Sequence, residues 1–396
     1  MKTSVEEYAE ITEGETKLLV PRLSLSSTVP PKFPAFFNPL SRLNRDISVL
    51  VYKTFLMDRK SHRRTFGDPF AGVGARSLRV AKEVPEIEHT FINDRNTIAI
   101  DAARKAARMN LVSEKCSFSS EDVVSFLANH SSKNTEKLTI VDLDPFGSPA
   151  EYIDCVLRAV VVKEGMVSIT ATDTAVLCGV HPEVCMRKYY GRSLRSNYSR
   201  EIAPRLLISL ISLTAARLDL VVHPIFVHFN FHYVRVYLTV SFGRSKASSI
   251  YKNIGYLRDC IECGDRKATF EVGQNDRCAL CGTKYRYAGI LWIANLFDKH
   301  FVGRMIRRTE IHDGSPGLVN IIKKTLSTSL NELDDIPFYF QSDEIASRLS
   351  TNPRSLQEII ERLHAGGYKA SRTSLDHDGF KTDAQINQIL ELMSRT

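Results

Sequence analysis

The stretch "IFVHFNFHYVRVYLTVSFG", residues 225–243, holds two β-rich runs with little between them. Aromatic and β-branched residues fill both halves, the side chains that suit a pleated, half-buried surface. So short a break between two such runs predicts a β-hairpin. Upstream the pattern differs. From Thr65, "RTFGD" reads as a strand ending at Asp68, and "PFAGVGARSLRVAKEV" as a glycine-bearing turn entering a helix. "HTFIND" and "RNTIAIDAARKAARMNL" repeat that strand–helix order, and "LTIVDLD" and "GMVSITATD" supply further strands with helices between them. Strands alternating with helices at this spacing predict a parallel sheet covered on both faces. The fold class is therefore α/β, a parallel sheet finished by an antiparallel hairpin. That combination is unlike an all-parallel dinucleotide-binding sheet and suits a Rossmann-like, class I methyltransferase.

Ahead of the sheet, residues 1–38 read as an arm ending in "VPPKFPAFFNPL", whose prolines forbid regular helix. Asp46–Met57 then has amphipathic helical spacing. The alternation stops at about Arg244, so residues 1–243 are expected to be one domain and 244–396 another. In the second, "QSDEIASRLS" and "NPRSLQEIIERLHAGGY" predict two helices, the latter ending at Gly366-Gly367, and "KASRTSL" a strand. From about residue 336 this order is winged-helix-like.

The chain has 396 residues, 43% of them hydrophobic and 25% charged, which is ordinary for a globular protein. No apolar run reaches the ~18 residues of a membrane helix, and the acidic, polar start does not read as a secretory leader. The cytoplasm is the expected compartment, with nucleus or mitochondrion open for a eukaryotic source. Net charge is +8 and unevenly spread. Residues 187–205 hold six Lys or Arg against one Glu, and residues 244–310 hold thirteen against seven acids. Tyrosines lie among both sets. Cations interleaved with aromatics suit phosphate contact and base stacking, so a polyanionic partner is expected.

Four of the eight cysteines are organised: Cys260-x2-Cys263, fourteen residues, then Cys278-x2-Cys281. That is zinc-ribbon spacing, spanning about residues 255–290, and four thiolates fill a tetrahedral ion's coordination sphere. The expected Zn2+ is structural. Cys116, Cys155, Cys178 and Cys185 show no ligand spacing and read as unreactive packing residues.

In an open parallel sheet, ligands sit beyond the carboxyl ends of the strands. Strand one offers Asp68 and the loop Ala71-Gly72-Val73-Gly74, and strand two offers Asp94, twenty residues after Gly74. An acid there can bind a ribose diol, in NAD or in S-adenosylmethionine. Asp122 stands ready to accept from an adenine amino group, or alternatively to cap a helix. The decisive motif is Asp144-Pro145-Phe146-Gly147 at the fourth strand end. Hydride transfer has no use for it. Methyl transfer to an exocyclic base nitrogen does, because that nitrogen's lone pair is delocalised into the ring. A carboxylate accepting its N–H localises the pair and stabilises the charge that develops. An aromatic stacks on the extruded base and aligns it. Asp144 is the expected acceptor and Phe146 the stacking platform.

"DPFGSP" (144–149) resembles the catalytic motif of the tRNA guanine-N2-dimethyltransferases, which act on guanosine 26 of tRNA. "FFNPLSRLNRDISVL" (36–50), "ATDTAVLCGVHPEVCMRKYYG" (171–191) and "DHDGFKTDA" (376–384) are similar to other blocks of that family, in the same order. The resemblance implies S-adenosyl-L-methionine as cofactor and tRNA as partner. It also implies that Arg45 and Arg76 meet the cofactor's carboxylate, and that Phe36 opposes Phe146 across the base. Two positions depart from the family pattern. Val176 replaces a proline, which bears on loop rigidity, and Arg200-Glu201 replaces His-Glu within the basic cluster. The competing readings are an enzyme acting on another exocyclic amine, a non-catalytic RNA-binding scaffold and a dehydrogenase. The base methylated, loss of cofactor binding and binding of NAD are their respective marks.

Overall fold

The computed structural model describes residues 8–394 apart from 28, 58–62, 133, 231, 274–275 and 310–315. Its first two strands, β1 (Tyr8–Glu13) and β2 (Thr16–Pro21), form an antiparallel hairpin. The central sheet follows with β3 (Thr65–Asp68), β4 (His89–Asn93), β5 (Cys116–Ser119), β6 (Ile140–Leu143), β7 (Lys163–Ala171), β8 (Leu220–Asn230) and β9 (Tyr233–Phe242). Its order is β5-β4-β3-β6-β7-β9-β8. β3 to β7 pair in parallel, and β9 runs antiparallel to both neighbours. Chain order reverses direction between β3 and β6, so the crevice beyond their carboxyl ends is the topological switch point. Asp68 and Asp144 stand at its two lips.

The arm expected over residues 1–38 is in part a hairpin. Leu18 and Val20 are fully buried against Ala99, Ala102 and Ala106, whose small side chains let β2 approach the helix Thr97–Met109 closely. Asn110 mimics a pairing strand: its Oδ1 accepts from Lys17 N at 2.9 Å, and its Nδ2 donates to Lys17 O at 2.7 Å. Residues 1–7 of the expected arm lie outside the described residues. The helix after the arm runs Arg42–Leu56, four residues earlier at its start than periodicity indicates.

Beyond the central sheet, β10 (Ile254–Asp259), β11 (Arg266–Thr269) and β12 (Arg286–Trp292) form an antiparallel sheet of order β11-β10-β12. The end of the chain runs helix Pro316–Asn331, β13 (Phe340–Gln341), helices Ser342–Leu349 and Leu356–Ala365, then β14 (Ala370–Arg372) and β15 (Gly379–Thr382). β15 pairs antiparallel with both β13 and β14, in the order β13-β15-β14, beside these helices. Ser355 caps the second helix by accepting from Glu358 N, and Gly367 leaves it at φ +85°.

The change of pattern near residue 244 marks no gap in packing. Trp292, Phe297, Phe301 and Met305 belong to the same buried cluster as the β6–β9 side chains. Farther on, Lys381 of β15 is fully buried, with Nζ 3.1 Å from Glu201 and 2.9 Å from Glu332. Arg205, also fully buried, shares Glu201 and donates to the carbonyls of Trp292 and Ala294. Arg205 is thus no part of the basic surface that its sequence cluster suggests.

Candidate active site

A cavity of about 520 Å³ opens at the switch point. Of the residues expected there, Phe36, Arg45, Asp68, Gly72, Arg76, Asp94, Asp144 and Phe146 line it. Gly74 and Asp122 do not. Gly74 heads the helix Ala75–Glu83 with φ +74°, and a Cβ there would come 2.9 Å from Ala103 Cβ. Asp122 is exposed and accepts from Val124 N at 2.9 Å. It fills the helix-capping alternative.

The glycine loop is shaped by Asp94, which accepts from Gly72 N at 2.8 Å and from Asn96 N at 2.9 Å. Gly72 has φ +54°, and a Cβ on it would stand 3.1 Å from the Phe36 carbonyl oxygen. Glycine there lets the arm close over the loop. Asp68 accepts from Ser77 Oγ at 2.6 Å and Phe70 N at 3.2 Å. Burial, reinforced by the charge of Asp142, lifts its carboxyl to about 7.

Neither expected arginine is a bare cation. Arg45 donates Nε and Nη2 to Glu13 at 2.7 and 2.6 Å, across to the N-terminal hairpin. Its neighbour Asp46 pairs with buried Arg79, which also holds Glu83. Arg76 gives Nη2 to Asp144 and Nη1 to Ser48 (3.0 Å) and Asp142 (3.2 Å). Sequence reasoning missed what lies behind it. Asp142, two residues before Asp144 and on the same strand face, is fully buried. It accepts from Arg235 Nη2 at 2.6 Å and from the Tyr52 hydroxyl. Burial alone would raise the Asp142 carboxyl, but Arg235 and Arg76 hold it below its ordinary value. The available signal was Arg235 itself, a cation set into the apolar alternation "YVRVYLTV".

Asp144 and Phe146 face the cavity's open side. Asp144 receives Arg76 at Oδ2, while Oδ1 takes no hydrogen bond among the described residues. Phe146 is 58% exposed, and Thr172 clasps the turn after it, accepting from Gly147 N at 2.6 Å. Phe36 and Phe146 meet edge to face with centroids 4.7 Å apart, and Lys32 Nζ lies 4.9 Å from the Phe146 ring centre. That contact leaves no room for a base between the rings, so a base enters only as they part. Asn230 at the end of β8, His232 in the turn and Tyr233 at the start of β9 complete the wall.

Far along the chain, Cys260, Cys263, Cys278 and Cys281 bring their sulfurs within 4.8 Å of one another. Two opposed turns present them. Gly264 N and Gly282 N donate to the carbonyls of Cys260 and Cys278, and both glycines have positive φ. Zn–S bonds of about 2.3 Å in a tetrahedron set sulfurs about 3.8 Å apart, so the donor set fits zinc. Burial pushes the Cys116 thiol up to about 12 and those of Cys178 and Cys185 to about 11, and raises that of Cys155 above its ordinary value.

The sheet order, the glycine loop between two strand-end acids and the acid–Pro–Phe turn define a class I, S-adenosylmethionine-dependent methyltransferase. The profile of the N2,N2-dimethylguanosine tRNA methyltransferases matches residues 14–394. The tRNA (guanine(26)-N(2))-dimethyltransferase of Methanococcus maripaludis is 35% identical over 387 residues, 97% of each chain. That of Methanothermobacter thermautotrophicus is 30% identical over 385 residues, 97% of this chain and 98% of its own. The structure of Trm1 from Pyrococcus horikoshii with S-adenosyl-L-methionine superposes with a TM-score of 0.81 at 28% identity, covering 97% of this chain and 99% of that one. The chain belongs to the N2,N2-dimethylguanosine tRNA methyltransferase family.

Proposed function

We propose that this chain methylates the exocyclic N2 of guanosine 26 in tRNA, first to N2-methylguanosine and then to N2,N2-dimethylguanosine. The observation that carries the reading is Asp144, a cavity-lining carboxylate whose Oδ1 takes no hydrogen bond among the described residues, beside an exposed aromatic ring. S-adenosylmethionine supplies a methyl group on a sulfonium, which passes to N2 as the carbon–sulfur bond breaks. Asp144 accepts an N–H of the base, localises the nitrogen lone pair and takes the proton released once the new N–C bond forms. Phe146 parts from Phe36 and stacks on the base, with Phe36 on its other face.

The cavity residues that would hold the cofactor are Asp94, as acceptor for ribose hydroxyls, the Gly72 loop, Arg45 and Arg76, which would offset its carboxylate, and Asp68, which would offset its ammonium. We assign the four-cysteine cluster to a structural Zn2+. The region from residue 244 onward, with exposed Lys267, Arg277 and Lys284, and the surface bearing Arg187, Lys188, Arg192 and Arg195 are assigned to the tRNA backbone. Among the described residues no helix is long and apolar enough to cross a membrane. The cytoplasm, where tRNA is matured and used, is the proposed compartment.

The test incubates purified chain with labelled S-adenosylmethionine and unmodified tRNA, as wild type and as Asp144→Ala, and resolves the nucleosides by mass spectrometry. N2-methylated guanosine from the wild type and none from the variant is the expected result. Methylated adenosine or cytidine would overturn the substrate and leave the fold. Tight tRNA binding without methylation would favour a scaffold.

A further inference from the structure

Behind Asp144 lies a closed square of charge, two of whose members, Asp142 and Arg235, the chemistry above does not use. Arg76 joins Asp144 to Asp142, and Arg235 joins Asp142 to the same Asp144 oxygen, its Nη1 standing 3.9 Å from Oδ2. Arg235 is fully buried and braced on every side. Its Nε donates to the Tyr237 hydroxyl at 3.0 Å, Nη2 to the Tyr52 hydroxyl at 3.0 Å, and Nη1 to Thr170 Oγ1. Ser48 closes the ring, 3.0 Å from Arg76 and 2.9 Å from Tyr237. Three charges taken out of water, with half-buried Asp144 beside them, are poor stabilisers compared with well-packed apolar groups of equal volume. What such a square supplies is position. Asp142 and Arg235 do not line the cavity, so neither touches cofactor or base.

We propose that Arg235 and Asp142 are positioning residues that, through Arg76, fix Asp144 as a single-oxygen acceptor, and that this fixing is what allows the site to methylate one amine twice. The inference rests on the reading of Asp144 given above. Both positive forks converge on Oδ2 and leave Oδ1 alone to meet the substrate. One acceptor oxygen needs one N–H. Guanosine has two on N2, N2-methylguanosine has one, and the dimethylated product has none, so acceptance ends with the second transfer. The two substrates differ in how forgiving they are. An unmethylated amine can present either hydrogen to Oδ1. The monomethylated amine has one hydrogen and must hold its methyl away from the carboxylate, which leaves one productive orientation. A carboxylate free to swing therefore harms the second transfer more than the first.

The experiment uses full-length protein with S-adenosylmethionine and unmodified tRNA. Because removing one charge strands the other in the interior, the main variant is the charge-balanced pair Asp142→Asn with Arg235→Gln, and Arg235→Lys is its conservative companion. Cofactor affinity, thermal midpoint and single-turnover rates of the first and second methylations are measured. The expected result is cofactor Kd within about threefold of wild type. The first transfer slows by roughly 10²-fold, the scale of a misplaced catalytic group. The second slows further, so N2-methylguanosine accumulates, and Arg235→Lys recovers part of both rates. Unchanged rates and product ratio would overturn the proposal. So would equal slowing of both steps in parallel with a fall in midpoint, which is what a purely structural role predicts. Absence of N2-methylation by the wild type would instead overturn the function on which the inference rests.

Discussion

Asp68 sits in the wall of the switch-point cavity with a carboxyl that burial and the nearby Asp142 lift from 3.8 to about 7. Asp68→Asn keeps the shape and, at Oδ1, the hydrogen bond from Phe70 N, turns the partner of Ser77 Oγ from acceptor to donor, and removes the charge. In the unfolded chain the acid loses its proton near pH 4; in the folded protein it keeps it to about pH 7. Ionisation is thus disfavoured by folding. The contribution of Asp68 to stability is best below pH 4, declines between pH 4 and 7, and is flat above. Three pKa units at about 1.4 kcal/mol each put the full decline at about 4 kcal/mol, of which some 2–3 kcal/mol falls between pH 5 and pH 8. The asparagine variant has no such decline. Denaturant unfolding of the cofactor-free protein at both pH values should show the variant gaining on the wild type by that amount as pH rises. Cofactor binding should run the other way. The bound ammonium favours the ionised carboxyl, so wild-type affinity weakens toward tenfold per unit as pH falls below 7, whereas the variant binds more weakly and with a flatter profile. A stability difference that stays constant between pH 5 and 8 would refute the reasoning, because Asp68 would then ionise as freely folded as unfolded.

Lys381→Met leaves Glu201 with Arg205 alone and strips buried Glu332 of its ion-pair partner, and should destabilise the protein by about 3–5 kcal/mol. Limited proteolysis should then cut between the winged end and the central sheet, where wild type resists. Cys260→Ser, or a strong chelator, should release one zinc per chain by metal analysis and loosen β10–β12 while leaving cofactor binding intact. Phe146→Ala should lower the methylation rate by 10²-fold or so with cofactor affinity unchanged, and Phe146→Tyr should restore most of the rate, since both rings stack alike.

Most of the central sheet was legible because its strands alternate with helices and end in acids, and the reversed hairpin announces itself in "HFNFHYVRVY". The N-terminal hairpin was not. β1 and β2 do alternate, as "YAEITE" and "TKLLVP", around Gly14 at φ +56°, but six-residue strands set in a polar start give a weak signal beside a run of prolines. β15 was missed for a different reason. "GFKT" is buried along its whole length, and its lysine is inside only because Glu201 and Glu332 wait for it from distant parts of the chain. The same limit applies at the active site. Asp144 and Phe146 could be singled out from their local motif and the chemistry of an aromatic amine. The partnership of Asp142, Arg235 and Tyr52 spans ninety or more residues at each step and becomes visible only when β6, β9 and the first long helix come together.

The blocks that carry the family resemblance divide into two kinds. In the turn that starts at Asp144, the side chains of Asp144, Pro145 and Phe146 line the cavity. In the others, much of what looks like chemistry is architecture. Arg45 is held by Glu13, Asp46 by Arg79, Arg79 by Glu83, and Thr16 closes on Glu83 at 2.8 Å, so a chain of buried charge ties the N-terminal hairpin to the helix behind the glycine loop. Lys381 of the C-terminal block does the same between the winged end and the helix Ser199–Ala216, where burial is outweighed by Lys381 and Arg205 and Glu201 is held down to about 2. Opposite charges buried in fixed geometry tolerate little sliding, since any displacement leaves a carboxylate or guanidinium unpaired in a dry interior. An enzyme that must set one nitrogen of a large RNA against one carboxylate gains from such ties. In the proposed reaction, the basic surface assigned to the tRNA body and the turn assigned to the base move as one piece, and binding energy collected far from Asp144 is delivered as position at it.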